Sequence, residues 1–312
     1  MLANIANVAT QVAILFILIA VGFICRKIKL LNDTTVKGMS DLVLYIVTPA
    51  NIIAAFHRSF EPSLLKGLLL AFLAAFIVYG TATILAKFLI REKDEDKRAA
   101  LRFASAYPNA GYMGIPLQRA LLGDIGVFYC AAYIGMFHMY IWSVGVQILD
   151  KNHKKFGREA FTKILLSPCI IAIAIGLILF FSPFELPEII ISPITSLASL
   201  ATPVPMIIIG YYLAGSSLKE IFGNAYIYVG TFIKMVFSPA LGILLCVLFG
   251  CDHAMTVSCV IACSASSAAM TTMLAAKFER NTEVSAGMVS FTTIAAIILM
   301  PIFIALAGYI VP

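Results

Sequence analysis

Apolar residues run along this chain in blocks of about 20, the length a helix needs to cross the hydrocarbon of a bilayer. Ten such blocks can be marked, at approximately 8–25, 37–56, 66–90, 99–121, 125–149, 164–182, 190–214, 225–249, 254–277 and 284–310. Polar residues fall between the blocks rather than alternating within them, which predicts helices and no sheet, because a spanning segment must satisfy its backbone groups internally. The longest polar insertions, Arg91–Arg98 and Asp150–Lys163, are too short to fold alone. The expectation is an all-α membrane protein of ten transmembrane helices in a single membrane domain, 1–312. Composition agrees: 61% of residues are hydrophobic and 12% charged, about half the charged fraction of soluble domains, and mean hydropathy is +0.98.

Charge adds an orientation. Lys and Arg cluster after the first block (Arg26, Lys27, Lys29, Lys37), the third (Arg91, Lys93, Lys97, Arg98, Arg102), the fifth (Lys151, Lys154, Lys155, Arg158, Lys163), the seventh (Lys219) and the ninth (Lys277, Arg280). The opposite side carries only Arg58, Lys66 and Arg119. The positive-inside rule then places the odd-numbered loops in the cytoplasm and both termini outside the cell membrane. The net charge of +6 is scattered between apolar blocks, so it does not point to nucleic acid. The seven cysteines show no metal-ligand spacing and read as small hydrophobes. No metal or cofactor motif is present, and the first block lacks the marks of a cleaved signal peptide, so it is expected to be retained.

A faint repeat divides the chain. Thr48-Pro49 recurs as Thr202-Pro203, and Ser63-Leu64 as Ser217-Leu218, each displaced by 154 residues. That displacement maps 1–150 onto 151–312, five blocks onto five, and an odd number of spans puts the copies in the membrane with opposite orientation. Inverted repeats of this kind recur in secondary transporters, whose sites lie where spanning helices are broken. The fourth block is such a place. It reads Tyr107-Pro108-Asn109-Ala110-Gly111-Tyr112-Met113-Gly114-Ile115-Pro116, and Pro108 and Pro116 each remove a backbone donor and clash with the preceding turn. The repeat demands a matching break in the ninth block, at Cys263-Ser264-Ala265-Ser266-Ser267, where small residues and hydroxyls gather.

A broken helix exposes the N-terminus of its second half, where free N–H groups and the helix dipole favour an anion. The candidate substrate-binding residues are therefore Asn109, Gly111, Tyr112, Ser266, Ser267 and Thr271, with Thr272 beside them. Pro108, Gly114, Pro116 and Ser264 are expected to make the breaks, the two glycines also permitting a close crossing. Asn51 in the second block and Lys234 in the eighth are further candidates, since polar and ionisable groups inside a membrane are functional by default. Lys234 can attract an anion or pair with an acid such as Asp41. His138 is a candidate for proton coupling, by its ordinary pKa, set against a structural hydrogen-bonded role. Arg119 is placed at an external entrance. Neither break carries Asp or Glu, which disfavours a dedicated sodium site.

The pattern Asn109, Gly111, Gly114, Pro116 in the fourth of ten spans resembles the auxin efflux carrier family. The resemblance extends to span number, orientation and the five-plus-five repeat. It implies a fold like that of bile-acid and sodium/proton carriers, in which helices 4 and 9 are broken and cross, a scaffold of helices 1, 2, 6 and 7 faces transport helices 3–5 and 8–10, and the cargo is a small organic anion such as a carboxylate or auxin-like acid. A homodimer fits the same picture. The chain departs from many plant members in its short central loop, and from the common pattern at the second break, which lacks proline and asparagine. The readings left open are a carrier, proton-linked or uncoupled; a sodium-coupled symporter of a bile-acid-like anion; and an intramembrane enzyme or channel, for which no HExxH, paired intramembrane carboxylates or added sensing domain is present.

Overall fold

A computed structural model describes residues 2–151, 158–182, 186–215, 222–268 and 270–311. Lys154, Lys155, Lys219 and the Ser217-Leu218 copy of the repeat lie outside the described residues. The chain forms α1 (Leu2–Lys27), α2 (Asp33–Phe56), α3 (Pro62–Leu89), α4 (Glu95–Ala106), α5 (110–122), α6 (Asp124–Leu149), α7 (Arg158–Leu165), α8 (Pro168–Phe181), α9 (Glu188–Gly215), α10 (Ala225–Phe249), α11 (His253–Ser264), α12 (Met270–Lys277) and α13 (Thr282–Ile310). Among the described residues there is no strand, only one isolated antiparallel bridge. Six helices among the described residues (α2, α3, α6, α9, α10 and α13) are long and apolar enough to cross a membrane. The fourth and ninth apolar blocks are each divided into two shorter helices, and the sixth block is reduced to the 14 residues of α8.

Three of the four π-helical turns among the described residues precede a proline, the exception being Ile141–Gly145 in α6. The turns Val43–Val47, Ala110–Gly114 and Ile233–Phe237 are each followed two residues later by a proline: Pro49, Pro116 and Pro239. A proline inside a helix lacks its N–H and pushes on the carbonyl a turn earlier. A wider π turn just before it takes up that strain and lets the helix continue. In α9 the chain solves the same problem differently: the helix stops at Ser199, turns through 200–202 and restarts at Pro203.

Packing sorts the helices into two groups. α1 lies along the C-terminal half of α9, and α2 packs on α8 and on the N-terminal half of α9. The α1–α9 contact is close because glycines face backbone: a Cβ on Gly22 would fall on the Ile207 main chain, and one on Gly210 on that of Ile19. Small residues of this kind let helices approach in a membrane, where van der Waals packing drives association. The other group is built from α3 against α6, α10 against α11, and α11 against α13, with α4 on α3 and α13. The groups touch where α13 meets α1 and where α6 meets α2.

Candidate functional site

The fourth block enters as α4, capped by Asp94, whose carboxylate accepts from the N–H groups of Asp96 and Lys97. The helix ends at Ala106, Tyr107 is extended, and a helix resumes at Ala110. In the ninth block α11, capped by Asp252, ends at Ser264, Ala265 is extended, and α12 begins at Met270. The break expected in the ninth block is therefore present, although it holds no proline or glycine.

The two interruptions lie against each other as a short antiparallel pair, bridged at Pro108 and Ser267. The Asn109 N–H donates to the Ser266 carbonyl at 2.7 Å, and the Ala268 N–H to the Tyr107 carbonyl at 3.0 Å. The Ser267 N–H donates to Thr292 Oγ1 of α13 at 3.0 Å. Backbone groups released by one broken helix are thus satisfied by the other, which is what allows irregular backbone to persist inside an apolar protein. Thr292 escaped the sequence reading, because a threonine in a long apolar span looks like helix–helix contact.

Side chains at the pair behave differently. The Asn109 amide nitrogen and the hydroxyls of Ser266, Ser267 and Thr271 are buried and have no hydrogen-bond partner among the described residues. Leaving one such group unpaired costs about 1–3 kcal/mol, and four of them occur at this pair of breaks. A cavity of about 60 Å³ adjoins the pair, lined by Pro108, Asn109, Ala110, Gly111 and Tyr112 from one break and by Ala268 and Met270 from the other. The N-termini of both resumed helices therefore open onto the same small space, although in α12 the Thr271 N–H already donates to the Ala268 carbonyl at 2.9 Å.

The opposite wall comes from α2, α6, α8 and α9, with Ser40, Asp41, Thr48, His138, Cys169 and Tyr212. His138 Nδ1 lies 3.1 Å from Ser167 Oγ, a hydrogen-bonded setting that also faces the cavity. Tyr112 donates its hydroxyl to the Ser40 carbonyl at 3.1 Å, so its ring lines the cavity while its polar end is tied to α2. Asp41 and Tyr212, with Ser40, Thr48 and Cys169, are among the lining residues that sequence alone did not assign to the site. Asp41 was visible as a polar residue near the end of a span, but its direction depends on how α2 packs. Tyr212 and Met273 also line a second cavity of about 340 Å³ that reaches Arg26 and Asp33 and includes Thr272, Ser290 and Thr293.

Several expected members lie elsewhere. Lys234 is buried and donates to the Cys263 carbonyl at 2.6 Å, near the end of α11, so it does not pair with Asp41. A cation there meets the negative end of the helix dipole. Asn51 donates to the Ala198 carbonyl at 3.1 Å and accepts from Arg119 at 2.9 Å, away from the cavity lining. Arg119 also pairs with Asp124 at 2.7 Å. Ser264 returns its hydroxyl to the Val260 carbonyl at 2.6 Å. Neither Gly111 nor Gly114 is needed for a tight crossing: a Cβ on Gly111 would meet nothing within 4 Å, and one on Gly114 would make ordinary contact with Cys130 and Ala110. The broken backbones pair through the segments that hold the extended Tyr107 and Ala265 instead.

Residues 7–304 match the sequence pattern of the family described as membrane transport protein. The chain belongs to that family. It is the auxin efflux carrier family to which the asparagine–glycine–proline pattern pointed. Members similar along nearly their whole length include an uncharacterised transporter of Methanocaldococcus jannaschii, 26% identical over 316 residues that cover 96% of this chain and 97% of the relative. An uncharacterised transporter of Methanothermobacter thermautotrophicus is 22% identical over 293 residues, covering 92% of this chain and 94% of its own. Membership makes this a membrane transporter, and the six long apolar helices agree with a multi-pass protein.

Proposed function

We propose that this family member is a secondary carrier that moves small organic anions by alternating access, with the site at the paired breaks of the fourth and ninth spans. One observation carries the reading: two helix N-termini and the unpartnered Asn109 amide face one cavity, with the unpartnered hydroxyls of Ser266, Ser267 and Thr271 at the same pair of breaks but outside the cavity lining. The dipoles supply positive potential without a buried arginine, and the Asn109 amide supplies a donor. The small cavity suits a carboxylate group, and the larger one sharing Tyr212 and Met273 gives space for the rest of the molecule.

The grouping of helices supports an elevator-like division, with α1, α2, α8 and α9 as scaffold and the others as the moving body. It fits ten spans in two inverted repeats, both termini outside the cell membrane. The Arg119 bond to Asn51 joins the two groups at one end, while the Arg26-lined cavity lies on the side of the basic loops. This arrangement suits a conformation open to the cytoplasm and closed outside. Asp41 and His138 on the cavity wall provide titratable groups for proton coupling. Purified protein in liposomes is expected to take up labelled malate or a related carboxylate saturably, faster under a proton gradient than under a sodium gradient of equal size. Acceleration by sodium alone would favour the sodium-coupled symporter, and flux proportional to concentration without saturation would favour a channel.

A further inference from the structure

A third cavity, of about 440 Å³, lies away from the transport site, between α3, α4 and α6 at the end that carries the basic loops. Its lining includes four cations, Lys87, Arg98, Arg102 and Arg280, against a single acid, Glu95. Arg280 is already matched: its guanidinium pairs with Glu95 at 3.1 Å and with Asp96 at 2.7 Å. The other two arginines are held by neutral acceptors. Arg102 donates through Nε and Nη2 to the Ile90 carbonyl and through Nη2 to that of Lys87. Arg98 donates through Nη1 to the Glu92 carbonyl at 2.9 Å. Carbonyls fix the direction of a guanidinium without cancelling its charge, and each guanidinium has five N–H donors to share. Lys87, Arg98 and Arg102 thus present positive charge and spare donors to one space large enough for a phosphate group.

The surface beside this cavity is apolar and outward-facing. Ile84 and Phe88 on α3 are 55% and 59% exposed, and Val144 on α6, itself part of the lining, is 37% exposed. A soluble anion has no use for such a border, whereas the acyl chains of a phospholipid do. Basic recesses between spanning helices at the cytoplasmic surface are where anionic lipid head groups bind. We infer that this cavity seats the phosphate of an anionic phospholipid, with the chains lying along Ile84 and Phe88. The site is independent of the substrate reading, since it shares no residue with either of the other cavities described above.

The probe is phosphatidylglycerol, with phosphatidylcholine and glycerol 3-phosphate as comparison arms, each titrated into the detergent-purified protein and followed by native mass spectrometry and thermal unfolding. Phosphatidylglycerol is expected to bind and to raise the unfolding temperature more than phosphatidylcholine, and glycerol 3-phosphate to do neither. Changing Lys87→Gln and Arg98→Gln together should weaken phosphatidylglycerol binding about 10- to 30-fold, from about 1 kcal/mol per basic residue near an anionic surface. Lys87→Gln alone should give part of that loss, which keeps the test usable if the double variant unfolds. Lys66→Gln, at the opposite end of α3, removes the same charge and should change nothing. Wild-type affinity in the double variant, an equal loss in Lys66→Gln, or glycerol 3-phosphate binding as tightly as the lipid would each overturn the assignment.

Discussion

The polar side chains around the two breaks divide by what they bond. Ser264 bonds its own helix and Thr292 holds the Ser267 N–H, so these two hydroxyls serve the fold. Asn109, Ser266, Ser267 and Thr271 leave side-chain atoms unpartnered in the interior, a local inconsistency that proteins keep at functional sites. Gly111 separates fold from function most cleanly. A Cβ there meets nothing within 4 Å, and the residue lines the cavity. Gly111→Val should therefore leave the unfolding temperature near that of wild type while abolishing carboxylate-dependent thermal stabilisation; large destabilisation would place the glycine in the packing instead. Lys234 should behave in the opposite way. Its Nζ is held by the Cys263 carbonyl in a fully buried setting, so Lys234→Ala should cost about 2–5 kcal/mol of stability through the lost bond and the space left behind, measured by denaturant unfolding in detergent. At this scale the sequence marked Asn109, because an amide among prolines in an apolar block has few innocent explanations. It could not mark Asp41 or Tyr212, whose place depends on the packing of α2 and α9 on the breaks.

Among the elements, the breaks were legible from different chemistry. In the fourth block Pro108 lies in the interruption, whereas Gly114 and Pro116, also expected to make the break, sit inside α5, where the π turn accommodates the second proline. In the ninth block the repeat alone required an interruption, and its backbone is held by the partner break and by α13 rather than by any helix-breaking residue. The prolines of the second and eighth blocks, Pro49 and Pro239, also lie inside apolar runs. The structure shows π turns before Pro49 and Pro239 that keep those helices continuous, a response no residue pattern announces because it is a backbone adjustment. The closest helix contact was equally hidden, since Gly22 and Gly210 sit in unremarkable apolar runs. Gly210→Ala puts a methyl against the Ile19 backbone. It should destabilise the α1–α9 pair by about 1–3 kcal/mol, as overpacking does, and the double variant with Gly22→Ala should be worse. An unchanged unfolding temperature would mean that α1 and α9 slide apart without cost.

For the whole molecule, the apolar blocks announced an all-helical membrane protein and the asparagine–glycine–proline pattern announced its family, while the shapes of the cavities waited for the packed structure. Two groups of helices joined by the Arg119–Asn51 bond at one end, with a cavity reaching Arg26 at the other, are parts that an alternating-access carrier requires. The central claim is that the paired breaks bind the transported anion. Asn109 tests it most directly, because its backbone N–H holds the pair together while its side-chain nitrogen has no partner among the described residues. Asn109→Ala keeps the first and removes the second. The measurement is uptake of labelled malate and related carboxylates into liposomes by wild type and by Asn109→Ala, each checked for an unchanged unfolding temperature. The account predicts saturable uptake by wild type and loss of at least about tenfold in the variant, the factor that one lost hydrogen bond to a charged group supports. Uptake by a stably folded Asn109→Ala protein at the wild-type rate would contradict it.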